Sequence, residues 1–152
     1  MTSTNRTRTI VARLALIVGA VAVLATGADH LEQYTVNQFS TVPTIGPLFL
    51  LNFIAATLVG VGLLLPFGLL VPRFADVIRA GLALAGIGIA ATSLIGLWIS
   101  EQSSLFGFSD HGFRSAIVVA IVSEAAAVLA LSVYLALTGL TLKRPPVRLA
   151  AR

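Results

Sequence analysis

Glu124 is the residue whose chemistry stands out against its surroundings. It sits inside the apolar run from about Phe113 to Thr138, with no Lys, Arg or His at its depth. About ten residues separate it from the run's start, or ~15 Å at helical rise, near the middle of a ~30 Å hydrocarbon core. An ionisable group there is costly, so the side chain is expected to face other helices. Desolvation favours the neutral carboxylic acid. Its hydrogen-bond partners should come from the few polar residues in the other apolar runs, namely Asn52, Thr57, Thr92 and Ser93. Counted the same way, Asn52 and Ser93 lie ~6–9 Å deep and Thr57 and Thr92 roughly 10–17 Å deep. Together with Glu124 they form a candidate ligand or proton site. The plainer reading is that each hydroxyl bonds its own helix backbone and that Glu124 ties two helices together or contacts another subunit.

A second group lies where the apolar runs end. Asp29-His30, Glu32, Glu101 and Asp110-His111 offer carboxylates and imidazoles, ligand types suited to Zn, Mn or Fe. They lack a fixed spacing such as HExxH. Asp110 also suits the cap of a following helix, and Asp29 the point where a helix leaves the membrane. If one metal is shared, His30 and His111 must come close together. Haem would call for axial histidines within the helices, whereas both of these stand at run ends. The sequence leaves any cofactor undetermined. It has no phosphate-binding glycine loop, no GxSxG and no cysteine, so no catalytic constellation is readable. Gly60-Val61-Gly62 and Gly86-Ile87-Gly88 lie within apolar runs and read as packing features.

The elements that hold these residues follow from composition. Hydrophobic residues make up 57% and charged residues 11% of the 152, against about 45–50% and about 25% in soluble domains. Mean hydropathy is +0.99. A soluble domain and a disordered chain are both excluded. Apolar runs at about 10–28, 48–70, 77–99 and 113–138 are each long enough to cross a membrane. The expected fold is an all-α, integral membrane, antiparallel four-helix bundle, one domain over residues 1–152. A cleaved signal peptide is the alternative for the first run, which has a basic start and small residues at Thr26-Gly27-Ala28. The segment His30–Tyr34 is placed to extend the first helix. Pro43, Gly46 and Pro47 should break the chain before the second run. Pro66 and Gly68 predict a kink near its end. Asp76 is a candidate N-cap for the third helix, and Phe106, Phe108 and Phe113 suit the headgroup level.

Charge sets the orientation. Of the ten Lys and Arg residues, all except Arg114 fall on one side: Arg6, Arg8, Arg13, Arg73, Arg79, Lys143, Arg144, Arg148 and Arg152. The positive-inside rule then places both termini, and the basic tail 140–152, in the cytoplasm. The plasma membrane is the expected location. The basic residues flank apolar runs and form no continuous patch, so nucleic acid is not an expected partner. Small residues recur on one face of three helices: Ala15, Gly19, Ala22 and Thr26; Gly81, Ala85, Gly88, Thr92 and Gly96; and Ala116, Ala120, Ser123 and Ala127. These faces should form the close contacts.

The stretch His30-Leu31 through Tyr34, followed by Pro43-Thr44-Ile45-Gly46-Pro47-Leu48-Phe49-Leu50-Leu51-Asn52, resembles uncharacterised four-span membrane proteins of actinobacteria. Size and layout are also similar to DoxX-like proteins, in architecture only. The Ala, Leu, Val and Arg bias with a single Lys fits an actinobacterial source. The resemblance carries no known catalytic residues, so it implies a fold and no activity. The leading expectation is a non-enzymatic membrane protein that binds a partner subunit, a lipid or a lipophilic small molecule, alone or as a homo-oligomer. A small transporter or proton-coupled carrier using Glu124 is the alternative. A redox or metal-dependent protein using His30 and His111 is third.

Overall fold

Apolar runs without an internal proline propagate as helices, and the prolines decide where these stop. A computed structural model describes residues 3–104, 106 and 115–139, apart from the side chains of Ser115 and Ala116. Helix α1 covers Ser3–Thr35, α2 Ile45–Leu64, α3 Phe67–Leu70, α4 Ala75–Gln102 and α5 Ser115–Gly139, with a 3₁₀ turn at Phe39–Thr41 between α1 and α2. The chain described is thus all-helical, and four of the helices are long and apolar enough to cross a membrane.

Helix α1 runs well past Ala28, as the polar segment His30–Tyr34 allowed. It closes with Val36 and Asn37 N–H groups on the Glu32 carbonyl, at 2.8 and 3.2 Å, and with Gln38 in the left-handed region at φ 59°. The start of α2 corrects the expected boundary. Gly46 and Pro47 lie inside the helix, because a proline in the first turn gives up only an N–H that has no partner within the helix. At the other end Pro66 does more than kink the helix. Leu65, forced extended by the following ring, has φ −67° and ψ 142°, so α2 ends and the short α3 begins. Helix α4 starts one residue before Asp76, after Phe74. Asp76 therefore sits in the first turn and is not the cap, in a place where a carboxylate complements the helix dipole.

Helix α1 packs along α2 and α5, and α4 packs along α5 and α2. The core is built largely of alanine, including Ala20, Ala56, Ala83, Ala90 and Ala127, with Val23, Leu63 and Leu131. Two of the three small faces are inward as expected. On α1, Ala15, Gly19, Ala22 and Thr26 are buried, and on α5 so are Ala120, Ser123 and Ala127. The third is overturned. Gly81, Ala85, Gly88 and Thr92 are exposed, and α4 buries Ala83, Gly86 and Ala90 in their place. Small residues lie on both sides of α4, so their spacing alone did not choose a face. Phe106 is exposed. Phe108 and Phe113 are outside the described residues.

Contacts are tightest at glycines. The fully buried Leu131 lies with one methyl over Gly19 of α1 and the other over Gly86 of α4. Gly27 faces Ala56, and a Cβ there would stand 3.1 Å from the Ala56 Cβ. At the far end the Arg8 guanidinium donates to the Leu137 carbonyl from Nε and Nη2, at 3.0 and 2.6 Å. That satisfies a terminal carbonyl which α5 leaves open. Outward faces are apolar, as at Leu58, Leu84, Val122 and Leu129.

Leu131→Ala should lose about 2–5 kcal/mol and Gly86→Val about 1–3 kcal/mol by overpacking. Leu129→Ala and Gly88→Ala should stay close to the parent protein. Unfolding titrations in mixed micelles check the ranking, and equal losses at Leu129 and Leu131 would contradict the packing.

Candidate functional site

The helical repeat places Thr26, Asp29, His30 and Gln33 on one face of α1, and all four are buried. His30 Nδ1 lies 2.9 Å from the Thr26 carbonyl. A carbonyl only accepts, so Nδ1 carries a proton, and in the neutral ring Nε2 is left as the acceptor. Ser93 of α4 supplies the match, its Oγ 2.9 Å from Nε2. The same Oγ accepts from Asn52 Nδ2 of α2 at 3.3 Å. The Glu124 carboxyl of α5 lies beside Ser93 and within electrostatic range of Asp29. One hydroxyl thus joins groups from all four long helices. Next to it Thr26 donates to Ser123 at 3.3 Å, and Ser123 to its own backbone at Ala120, 3.1 Å.

These groups open onto a cavity of about 300 Å³. The C-terminal parts of α1 and α4 and the N-terminal parts of α2 and α5 enclose it, with Phe39 of the 3₁₀ turn also in its wall. Much of the lining is apolar, including Ile45, Leu48, Leu97 and Ile117. An aromatic wall runs from His30 to Phe49, 5.0 Å between centroids, and on to Phe39 at 5.1 Å, edge to face. Three buried polar atoms on lining residues have no hydrogen-bond partner: Gln33 Nε2, Asn52 Oδ1 and Glu124 Oε2. An unmet buried polar group costs roughly 1–3 kcal/mol, and all three belong to residues that line the cavity.

Of the residues picked from sequence, Asn52, Ser93 and Glu124 come together here. Glu124 is 1% exposed, facing the other helices. Thr92 reaches the rim, but its hydroxyl bonds its own helix at Gly88 and Ile89, 2.7 and 3.1 Å. Thr57 is not part of the lining. It lies beside Gly27 on the α1–α2 contact. Of the metal candidates, Asp29 and His30 line the cavity, Glu32 is exposed, and Glu101 is half-buried outside the lining. Asp110 and His111 fall outside the described residues, and with them the pairing of the two histidines. Among the described residues no group of three or more His, Cys, Asp or Glu is placed to hold a metal ion.

Gln33 and the Phe39–Phe49 wall escaped the sequence reading, while Thr26 and Ser123 were placed on inward faces but not in the site. The signal for Gln33 was present: it follows Asp29 and His30 by four and three residues, hence on their face. Placing the membrane boundary at Ala28 hid it. Comparison of the chain with protein-family models, with curated proteins and with solved structures finds no match.

Ser93→Ala strips His30 Nε2 and Asn52 Nδ2 of their shared partner and should lose roughly 1–3 kcal/mol. Thr92→Ala should fall within about 0.5 kcal/mol of the parent. Denaturation midpoints in detergent check the difference, and an indifferent Ser93→Ala would show that the hydroxyl joins nothing of consequence.

Proposed function

We propose that the chain is an integral membrane protein, an antiparallel four-helix bundle with both termini cytoplasmic, which binds a small lipophilic molecule bearing a polar group in the cavity at its outer end. The observation that carries the reading is the cavity itself, apolar over much of its wall and lined also by three residues that each keep an unpartnered polar atom. That combination suits a ligand with an apolar body and a polar head. Support for the membrane setting comes from the outward leucines and valines, which would have to be hydrated in water, and from the four apolar helices. Support for the orientation comes from the basic residues. Arg6, Arg8, Arg13, Arg73 and Arg79 belong to the ends of the helices remote from the cavity, which the positive-inside rule assigns to the cytoplasm. Ser93 Oγ stands 2.9 Å from His30 Nε2, but it also accepts from Asn52 Nδ2 and is held within the network, so the reading offered is binding.

A second reading, a carrier, draws on one observation. His30, Ser93 and Glu124 form a continuous line in which a hydroxyl stands between an imidazole and a carboxyl. Flux across sealed vesicles separates a carrier from a binding protein.

Two experiments test the proposal. From outside the cell, a membrane-impermeant thiol reagent should modify Ser103→Cys and spare Ser3→Cys; the opposite pattern would invert the orientation. Benzyl alcohol, an aromatic body with one hydroxyl, should give saturation-transfer signals with the protein in phosphatidylcholine nanodiscs. Gly96→Trp sets an indole at the cavity wall and should abolish those signals. Gly88→Trp, on the outward face of the same helix, should retain them. Signals unaffected by Gly96→Trp would mean that the alcohol sits in lipid and the cavity is not a ligand site.

A further inference from the structure

The polar side of the cavity is selective in kind. Two of its three unpartnered atoms, Asn52 Oδ1 and Glu124 Oε2, are oxygens. Two of its lining side chains, Asp29 from α1 and Glu124 from α5, are acids, 8% and 1% exposed. Among the described residues, no Lys or Arg lines the cavity. His30 does not take the place of one, because Ser93 stands between its ring and Glu124 and the other ring nitrogen is turned to the Thr26 carbonyl. Phe49 and Phe39 also line the cavity, and aromatic rings attract cations. Paired acids, free oxygen acceptors and aromatic walls call for a ligand that is positive and donates hydrogen bonds.

We propose that the cavity takes an organic ammonium ion on a small apolar body, its N–H groups directed at Glu124, Asn52 and Asp29. The proposal rests on the reading of the cavity as a ligand site and names the class of molecule that fills it. The apolar body lies against Leu48, Phe49 and Leu97, and the ammonium supplies the charge that the two acids lack. Gln33, beside Asp29 on the same helix, adds a side-chain amide to this wall.

Protons and the ammonium compete for the same carboxyls. When Glu124 or Asp29 is protonated its negative charge is gone, so affinity for the cation falls as pH falls, by up to tenfold per pH unit for each proton displaced. The titratable groups facing the site are Asp29 and His30 from α1 and Glu124 from α5. Helix α2 contributes only Asn52, the 3₁₀ turn only Phe39, and α4 only Ser93, Ser100 and Thr92 as polar lining, with Glu101 just beyond. Asp110, His111 and Arg114 belong to the connection outside the described residues.

The test compares benzylammonium with benzyl alcohol, which have the same body and differ chiefly in the charge of the head. Both are titrated against the protein in zwitterionic phosphatidylcholine nanodiscs between pH 5 and 8, where an alkylammonium keeps its charge. Gly96→Trp supplies the background from lipid partitioning. The expected result is that benzylammonium binds at least ten times more tightly than the alcohol at the upper end of this range. That preference should decline toward pH 5 while binding of the alcohol stays level. Glu124→Gln should bring the two ligands to within about twofold and keep the alcohol bound. Asp29→Asn provides the same reading if Glu124→Gln does not fold. Equal affinities in the parent protein, or a preference that survives both substitutions, would overturn the cation assignment and leave the cavity as a site for neutral lipophiles. Failure of both probes to bind above the Gly96→Trp background would remove both.

Discussion

Leu131 holds three helices in register. Its side chain is received by Gly19 on one side and Gly86 on the other, so α1, α5 and α4 can slide past one another only by lifting it out. This matters because the outer surfaces of these helices are as apolar as the surfaces in contact. Burying apolar area therefore gives little preference for one rotation over another, and close shape must do the selecting. A knob between two glycines, an Ala–Gly seam between α1 and α2, and a guanidinium on the last turn of α5 are the means of selection here.

The cavity is the complement of that packing. Alanine and glycine bring the helices together along the length from Ala12 to Val23 and from Ala127 to Tyr134. Toward the other end Asp29, His30, Gln33 and Glu124 replace them, with Phe39 and Phe49 alongside. Polar side chains need partners at fixed distances and rings need width, so the helices enclose space there where elsewhere they close it. The Ser93 hydroxyl shows how economical the arrangement is. One oxygen serves an imidazole and an amide, and the carboxyl beside it keeps an oxygen in reserve.

Much of this was legible in the residues. Run length and hydropathy located four helices, and small-residue spacing identified the inward faces of α1 and α5. Polarity within the outer half of the runs brought Asn52, Ser93 and Glu124 into one group, together with Thr57 and Thr92. What failed did so for definable reasons. Helix α4 carries small residues at Gly81, Ala85 and Gly88 and again at Ala83, Gly86 and Ala90, and only its neighbours decide between the two stripes. Thr57 has the right depth and the wrong azimuth, a quantity that counting along a chain does not contain. His30 and Asp29 were read as surface ligands because the membrane boundary was set at Ala28; packing against the other helices buries them both. Leu65 shows the limit of local rules from the other side, since proline chemistry foretold a disturbance but not its size.

The long reach of the contacts bears on how the protein is made. Arg8 meets Leu137 across 129 positions, and Thr26 meets Ser123 across 97. During synthesis α1 emerges first and its principal partner α5 last, so Asp29, His30 and Gln33 wait through the production of nearly the whole chain before Glu124 arrives to face them. A newly made α1–α2–α4 intermediate therefore has an open seam lined with Thr26, Asp29 and Gln33. Such a seam leaves polar side chains without their partners until α5 is made. Truncations that remove α5 would be expected to leave a product prone to quality control, even though most of its helices are intact.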